Sequence, residues 1–190
     1  MDFLRLEISD LILCQPSIIG DRRGYFVETF KENKLNNFLG FKVKFCQDNE
    51  SKSSFGVLRG LHYQLKPYAQ SKLVRVIKGS VLDVAVDLRK SSPTFGKHIC
   101  VELNEDNKKQ LFIPRGFAHG FVTTSNEAII SYKVDNYYNC KSERGINYND
   151  KFLNIDWKLP HDSIILSKKD KNNCHFKDSE FFDFSHNLYA

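Results

Sequence analysis

Short apolar runs separated by turn residues recur along the middle of the chain, and this spacing strongly constrains the fold. In the run VLDVAVDL, the apolar residues Val84 and Val86 alternate with Ala85 and two aspartates. A period of two is typical of a β-strand with one face buried. Six such runs joined by tight turns predict a mostly antiparallel jelly-roll β-barrel. The runs cover residues 72–77, 81–88, 98–103, 110–113, 120–124 and 128–134.

Helix signals are few. The segment KENKLNNFLG, which ends at Gly40, predicts one short helix. Strand signals become rare from about Asp150, and this part of the chain is expected to pack across the barrel. The sequence turns polar from Lys168, so the final residues are expected to be mobile. A length of 190 residues predicts a single domain over residues 1–190.

Charge and cysteine usage narrow the possible function classes. The net charge of +5 is spread along the chain without a long basic block, so no nucleic-acid partner is expected. The five cysteines lie far apart and lack CxxC spacing, which disfavours a disulfide framework or a zinc site. The first residues, MDFLRLEISD, do not suit a signal peptide, and no apolar run reaches membrane-spanning length. We therefore expect a cytoplasmic protein with no membrane partner.

Two of the six histidines have distinctive contexts, His62 in RGLHYQ and His119 in IPRGFAHGF. A glycine stands six positions before His62, and a Pro-x-Gly-x-x-His run ends at His119, as in the two cupin motifs. The metal ligands of that pattern are replaced, because Gln64 stands for the second histidine and Lys72 for the glutamate. An ammonium group at a ligand position repels a cation. The pattern thus resembles a cupin barrel without a metal.

The side chains near His62 suit proton abstraction next to a carbonyl group. Histidine is a base at neutral pH, and Arg59 and Lys72 supply fixed positive charges close to it in sequence. A cation can stabilise an enolate oxygen, and a phenol can return a proton. The candidate phenols are Tyr63, Tyr132 and Tyr138. An anionic substrate is favoured over a cationic one, and the sequence carries no GxGxxG fingerprint of a redox cofactor.

Eight blocks of sequence resemble the dTDP-4-dehydrorhamnose 3,5-epimerases, a family of metal-free sugar-nucleotide cupins. The blocks run from about Asp21 to Asp170 and are jointly far more specific than any single short motif. They are DRRGYFVETF, QDNESKSSFGVLRGLHYQ, PYAQSKLVRVIKG, DVAVDLRKSSPTFGK, LFIPRGFAHGF, SYKVDNYY, SERGINYND and LSKKD. The resemblance implies a homodimer with exchanged strands, a nucleotide-sugar substrate and no cofactor.

The resemblance also implies the catalytic roles. His62 would be the general base, and Asp170 would pair with it and fix its tautomer. Tyr132 would be the acid on the opposite face of the sugar. Lys72 would lie near the ketone oxygen and stabilise the enolate.

The remaining implied residues bind substrate. Arg59 and Arg23 would hold the diphosphate, with Arg23 coming from the neighbouring subunit. Tyr138 would stack on the base, and His119 would complete the polar floor of the site. The other implied contacts are Phe26, Glu28, Gln47, Asn49, Glu143 and Lys168.

The implied reaction inverts C3 and C5 of dTDP-4-dehydro-6-deoxy-D-glucose and gives dTDP-4-dehydro-L-rhamnose, which leads to rhamnose-containing polysaccharide. The same residues could serve a C3-only epimerase, or an epimerase of another nucleotide-linked 4-keto sugar such as a GDP-linked heptose. A metal-dependent cupin oxygenase is disfavoured by Gln64 and Lys72. A non-catalytic sugar-binding module is disfavoured by the joint presence of base, carboxylate, acid and lysine. Departures from the family's usual residues, expected near the nucleotide end, are Cys140, Tyr148 and Lys151.

Overall fold

Two antiparallel sheets face each other and form a barrel in the computed structural model, which describes residues 1–190. The fifteen strands are β1 (Asp2–Arg5), β2 (Ile12–Gln15), β3 (Ile18–Asp21), β4 (Gly24–Val27), β5 (Gln47–Ser54), β6 (Leu58–Gln64), β7 (Lys72–Lys78), β8 (Ser80–Asp87), β9 (Arg89–Lys90), β10 (His98–Asn104), β11 (Gln110–Ile113), β12 (Phe117–Thr123), β13 (Glu127–Val134), β14 (Glu143–Gly145) and β15 (Phe182–Asp183). The two α-helices are α1 (Glu32–Leu39) and α2 (Lys168–Lys171), and short 3₁₀ turns cover His161–Ser163 and Phe176–Asp178.

The larger sheet has six strands in the order β1–β2–β11–β7–β13–β5, and the smaller has five in the order β10–β8–β12–β6–β14. Strands β3 and β4 form a separate hairpin, and β15 pairs with β9 in parallel. The predicted mostly β fold of cupin type is confirmed. All six strands predicted from the apolar runs are present, as β7, β8, β10, β11, β12 and β13.

Strand β5 shows no alternation of apolar and polar residues that would predict a strand, because its sequence QDNESKSS is entirely polar. It forms one edge of the six-stranded sheet and pairs with β13 alone. Its side chains alternate between partly shielded and exposed positions, so it keeps the period of a strand without an apolar face. The shielded positions face the cleft described below.

Strand β8 is buried on both faces, whereas the sequence predicted one buried face. Ala85 joins the apolar cluster between the two sheets, and Val84 and Val86 join a second cluster on the outer side. The outer side is covered by the C-terminal part of the chain through Trp157 and Phe176. The prediction that this part packs across the barrel is therefore confirmed, and it accounts for the second buried face.

Helix α1 lies where the sequence predicted a helix and covers part of the outer face of the six-stranded sheet. Leu35 is its buried residue and packs in a cluster with Ile12, Leu73 and Phe112. The helix ends at Gly40, whose φ of 82° is left-handed and whose N–H donates to the carbonyl of Asn36. No helix in the structure is long and apolar enough to cross a membrane.

The C-terminal residues are held against the barrel, so the expectation that they are mobile was wrong. Leu188 is buried, and the Tyr189 hydroxyl lies 2.7 Å from Ser71 Oγ. Arg115 Nη1 donates to the carbonyl of Leu188 at 2.8 Å. These contacts link the end of the chain to the residue just before β7 and to the turn before β12.

The β3–β4 hairpin, in contrast, exposes large apolar side chains to solvent. Ile19 is 69% exposed and Phe26 is 68% exposed. At the hairpin turn Arg23 bonds only to Asp21, with its Nη2 2.5 Å from Asp21 Oδ2. Apolar exposure on this scale is typical of a surface that another chain covers.

Candidate active site

A cleft opens between the two sheets and consists of two adjoining cavities of about 360 and 270 Å³. His62, Lys72 and Tyr132 line both cavities and so lie at their junction. The first cavity is also lined by Gln47, Asn49, Tyr63, Gln64, Gln70, Tyr138 and Glu143. The second is also lined by Ser51, Arg59, His119, Phe121, Ser167, Lys169 and Asp170. Clefts of this size are typical of small-ligand sites.

His62 and Tyr132 reach the cleft from opposite sheets. His62 lies on β6 of the five-stranded sheet, opposite His119 on β12. Tyr132 lies on β13 of the six-stranded sheet, opposite Asn49 on β5. A ligand between the sheets therefore has an imidazole on one side and a phenol on the other.

Two glycines let β6 and β12 approach closely beside this site. Gly60 has a φ of 136°, and a Cβ at this position would lie 2.5 Å from the Cα of Gly120. The pairing of β12 with β6 changes register between His119 and Phe121, as in a β-bulge. The close approach and the bulge together set where His62 and His119 enter the cleft.

Asp170 orients the His62 ring. Its Oδ1 lies 2.5 Å from His62 Nε2, and its Oδ2 accepts from Ser167 Oγ at 2.7 Å. Burial raises the pKa of Asp170, but the hydrogen bonds from His62 and Ser167 outweigh it and leave the pKa below its usual value. A charged carboxylate only accepts, so Nε2 of His62 carries the shared hydrogen and Nδ1 is left as the basic nitrogen.

Lys72 carries a cation into the same part of the cleft. Its Nζ donates to the carbonyl of His62 at 3.4 Å. Burial lowers the pKa of Lys72 to about 8, although the negative charges of Asp83 and Glu143 act in the opposite direction. At neutral pH Lys72 is therefore mostly protonated and can stabilise a developing oxyanion.

Tyr132 keeps its proton over a wide pH range. Burial raises the pKa of its phenol, and the charge of Arg59 offsets this only in part. A protonated phenol across the cleft from a basic imidazole is the arrangement needed to deliver a proton to the opposite face of a substrate.

His119 is hydrogen-bonded to the fully buried carboxylate of Asp83. Its Nε2 lies 3.0 and 2.9 Å from the two oxygens of Asp83. Burial lowers the pKa of His119 despite the opposing charge of Asp83, which favours the neutral ring. Nε2 of that ring donates to Asp83, so Nδ1 is available to accept a hydrogen bond.

A chain of polar contacts crosses the mouth of the first cavity. The Tyr138 hydroxyl donates to Glu143 Oε2 at 2.8 Å, and Lys169 pairs with Glu143 Oε1. Gln64 supports this loop, because its side chain donates to the Tyr137 carbonyl and accepts from the backbone N–H of Asn139. The residue at the missing metal-ligand position thus has a structural contact of its own.

Polar side chains of β5 line one wall. Gln47 Nε2 donates to Asn49 Oδ1 at 2.8 Å, and Arg59 Nε donates to Ser53 Oγ at 3.1 Å. Arg59 also donates to the carbonyl of Lys52 at 3.3 Å. The guanidinium is therefore fixed beside the second cavity, where it can meet an anionic group.

Ten of the fourteen residues assigned from the family resemblance line this cleft. They are His62, Lys72, Tyr132, Asp170, Gln47, Asn49, Arg59, His119, Tyr138 and Glu143. The other four lie outside the cleft lining of the single chain. Arg23 and Phe26 are on the exposed hairpin, and Glu28 pairs with Lys34 at 3.1 Å. Lys168 is exposed on α2, where the neighbouring Lys169 lines the cavity instead.

Several features of the cleft were missed or misplaced by the sequence reasoning. Tyr63, a candidate phenol, contributes to the lining of the first cavity, but its hydroxyl donates to the Glu180 carbonyl and its side chain packs in the outer apolar cluster. Tyr148 packs on the same outer side, and Cys140 and Lys151 are exposed, so none of the three departures lines the cleft. Cleft residues without a sequence assignment are Ser51, Gln70, Phe121, Ser167 and Lys169.

The donor set does not fit a metal ion. No group of three or more His, Cys, Asp or Glu side chains converges anywhere in the structure. The cleft instead combines amides, phenols and the ammonium group of Lys72 around His62. These are groups for binding and moving protons on an oxygen-rich anion rather than for coordinating a cation.

Fold and cleft together define a barrel of cupin type with an acid–base site between its two sheets. The chain matches the profile of the dTDP-4-dehydrorhamnose 3,5-epimerases over residues 5–178. It is 52% identical over 182 residues to the dTDP-4-dehydrorhamnose 3,5-epimerase of Shigella flexneri, a match that covers 96% of this chain and 99% of that protein. The chain therefore belongs to the dTDP-4-dehydrorhamnose 3,5-epimerase family.

Solved structures agree. The dTDP-4-dehydrorhamnose 3,5-epimerase of Elizabethkingia anophelis superposes with a TM-score of 0.92 at 49% identity, covering 95% of this chain and 99% of that one. The dTDP-6-deoxy-D-glucose-3,5-epimerase of Legionella pneumophila, solved in complex with dTDP-4-keto-L-rhamnose, gives a TM-score of 0.93 at 42% identity, with 97% and 99% covered.

Proposed function

We propose that the protein converts dTDP-4-dehydro-6-deoxy-D-glucose into dTDP-4-dehydro-L-rhamnose by inverting C5 and C3. The observation that carries this proposal is the pairing of one oriented imidazole, His62, with one protonated phenol, Tyr132, across a single cleft. Family membership supports the substrate, because the relatives named above are 3,5-epimerases.

Each inversion is a proton removal followed by a proton return. The 4-keto group acidifies the C–H bonds at C3 and C5. Nδ1 of His62 takes the proton from one face, the electron pair moves into the enolate, and the resulting imidazolium is paired with Asp170. Lys72 stabilises the enolate oxygen. Tyr132 then protonates the same carbon from the other face, and solvent restores both groups before the second inversion.

The test is incubation of the protein with dTDP-4-dehydro-6-deoxy-D-glucose in deuterated water, followed by mass spectrometry and NMR. Deuterium at both C3 and C5 with inverted configuration supports the proposal. Deuterium at C3 alone would identify a C3-only epimerase. A GDP-linked 4-keto sugar is incubated in parallel, and deuterium incorporation into that sugar alone would reassign the nucleotide.

A metal-dependent oxygenase makes a different prediction. Exhaustive treatment with a chelator should leave the epimerase rate unchanged, because the cleft offers no converging set of metal donors. Loss of activity on chelation, with recovery on addition of a divalent metal, would contradict the proposed chemistry.

We also propose that the protein works as a homodimer in which the β3–β4 hairpin completes the partner's cleft. Arg23 and Phe26, two of the residues assigned to substrate binding, lie on this exposed hairpin and line neither cavity of their own chain. The 69% exposure of Ile19 supports a covering partner.

The five free cysteines support a reducing cytoplasmic location.

Mixed dimers test this arrangement. His62→Ala and Arg23→Ala subunits should each be poorly active alone, but in a mixed dimer one site receives an intact His62 and an intact Arg23. With random pairing of equal amounts, about a quarter of all sites should be intact and activity should rise accordingly. A mixture no more active than the sum of its parts would show that Arg23 does not act on the partner's site.

A further inference from the structure

Two side-chain polar atoms in the structure are shielded from solvent and lack a hydrogen-bond partner, Ser51 Oγ and Thr123 Oγ1. Ser51 lines the second cavity of the cleft. Thr123 lies on β12 and lines neither cavity. A shielded hydroxyl without a partner is unfavourable, so each unpaired atom calls for an explanation.

The neighbours of Ser51 on the same face of β5 already have partners. Asn49 accepts from Gln47, and Ser53 accepts from Arg59. Side chains two residues apart on a strand point to the same side, so these three form one polar row facing the cleft. Ser51 is the member of this row whose hydroxyl has nothing to bond to within the protein.

The surroundings of Ser51 indicate which kind of group could form a hydrogen bond with its hydroxyl. Ile130 lies opposite it on β13, and Phe121 lines the same cavity, so neither neighbour offers a polar atom from its side chain. The cations Arg59, Lys72 and Lys169 line that cavity as well. A ligand that satisfies both the cations and the hydroxyl must present oxygen acceptors.

We propose that Ser51 Oγ is a substrate-binding group that donates a hydrogen bond to an oxygen of the bound nucleotide sugar. The proposal rests on the proposed function for the identity of the substrate. The acceptor is an oxygen of the diphosphate or of the hexose, since both carry the required lone pairs. In the free protein the hydroxyl is held ready and unpaired, so removing it weakens binding without weakening the fold.

Ser51→Ala tests this with two probes, dTDP and dTDP-glucose, which lacks the reactive 4-keto group. Dissociation constants are measured by isothermal titration calorimetry, and Tm is measured for the same preparations. We expect dTDP-glucose to bind about 10-fold more weakly to Ser51→Ala, with Tm unchanged or slightly higher. A similar loss for dTDP assigns the acceptor to the diphosphate, and an unchanged dTDP affinity assigns it to the hexose.

Thr123→Val is the matched control, because it removes the other unpaired hydroxyl at a position outside the cleft. It should bind both nucleotides like the wild type. Wild-type affinity of Ser51→Ala for both probes would overturn the proposal, and so would a marked drop in its Tm, which would reveal a partner within the protein. Failure of the wild-type chain to bind either nucleotide would instead overturn the proposed function, and with it the substrate assigned to Ser51.

Discussion

Replacing the Asp170 carboxylate by an amide should slow the reaction strongly while leaving substrate binding nearly intact. Asp170 is buried, with a side-chain exposure of 5%, and its Oδ1 lies 2.5 Å from His62 Nε2. When His62 takes a proton, the carboxylate stabilises the imidazolium formed in the cleft. Asp170→Asn retains the shape and one acceptor oxygen but removes the negative charge.

The size of the effect follows from the charge interaction. Two unit charges about 4 Å apart interact by about 4 kcal/mol at an effective dielectric constant of about 20. The His62 side chain is 28% exposed, so solvent screens part of this interaction. A loss of about 2–4 kcal/mol in the transition state corresponds to a decrease in kcat of roughly 30- to 1000-fold.

The assay is the initial rate of deuterium incorporation from solvent, with KM determined in parallel. We expect kcat to fall by the stated factor and KM to change by less than about threefold, because Asp170 acts through His62 rather than on the substrate. Asp150→Asn is the control, since Asp150 Oδ2 also bonds to a histidine, His175, at 3.1 Å but outside the cleft. A kcat for Asp170→Asn within threefold of the wild type would refute this explanation of how His62 is activated.

Three further outcomes are expected. Tyr132→Phe should still exchange substrate protons with solvent but should form little inverted product, as NMR of the recovered sugar would show; inversion of both centres at the wild-type rate would rule out Tyr132 as the acid. The positive charge of Lys72 is present below its pKa of about 8 and lost above it, so kcat/KM should fall as pH rises through 8. Lys72→Arg should move that alkaline limit upward, because a guanidinium keeps its charge. An unchanged alkaline limit would contradict the role of the ammonium charge. Ser167→Ala removes a donor to Asp170 Oδ2, so it should lower kcat by several-fold with little change in KM, and a loss confined to KM would contradict a positioning role.

The central strands could be predicted from sequence because their apolar runs are short, regular and bounded by turn residues. Strand β5 could not be predicted in this way, because its partly buried polar residues face the cleft and not an apolar core. The second buried face of β8 could not be predicted either, because it depends on distant residues such as Trp157 that return to cover the sheet.

The residues of the site also divide into those that could be predicted from sequence and those that could not. His62 and His119 stand in recognisable motifs, and family resemblance assigned Tyr132 and Asp170, which lie in the cleft. Asp83 beneath His119 was overlooked because a single aspartate in a strand reads as solvent-facing. Ser51 could have been found from the assigned Asn49, because alternate residues of a strand share a face, but only once the polar segment was recognised as a strand.

The most direct test of the acid–base cleft is deuterium exchange by His62→Ala, with dTDP-4-dehydro-6-deoxy-D-glucose in deuterated water and C3 and C5 followed separately by NMR. Because one imidazole serves both carbons, exchange at both positions should be lost together, while the affinity for dTDP stays close to that of the wild type. Exchange that continues at either carbon at the wild-type rate would show that another group removes that proton, and the assignment of His62 as the common base would be wrong.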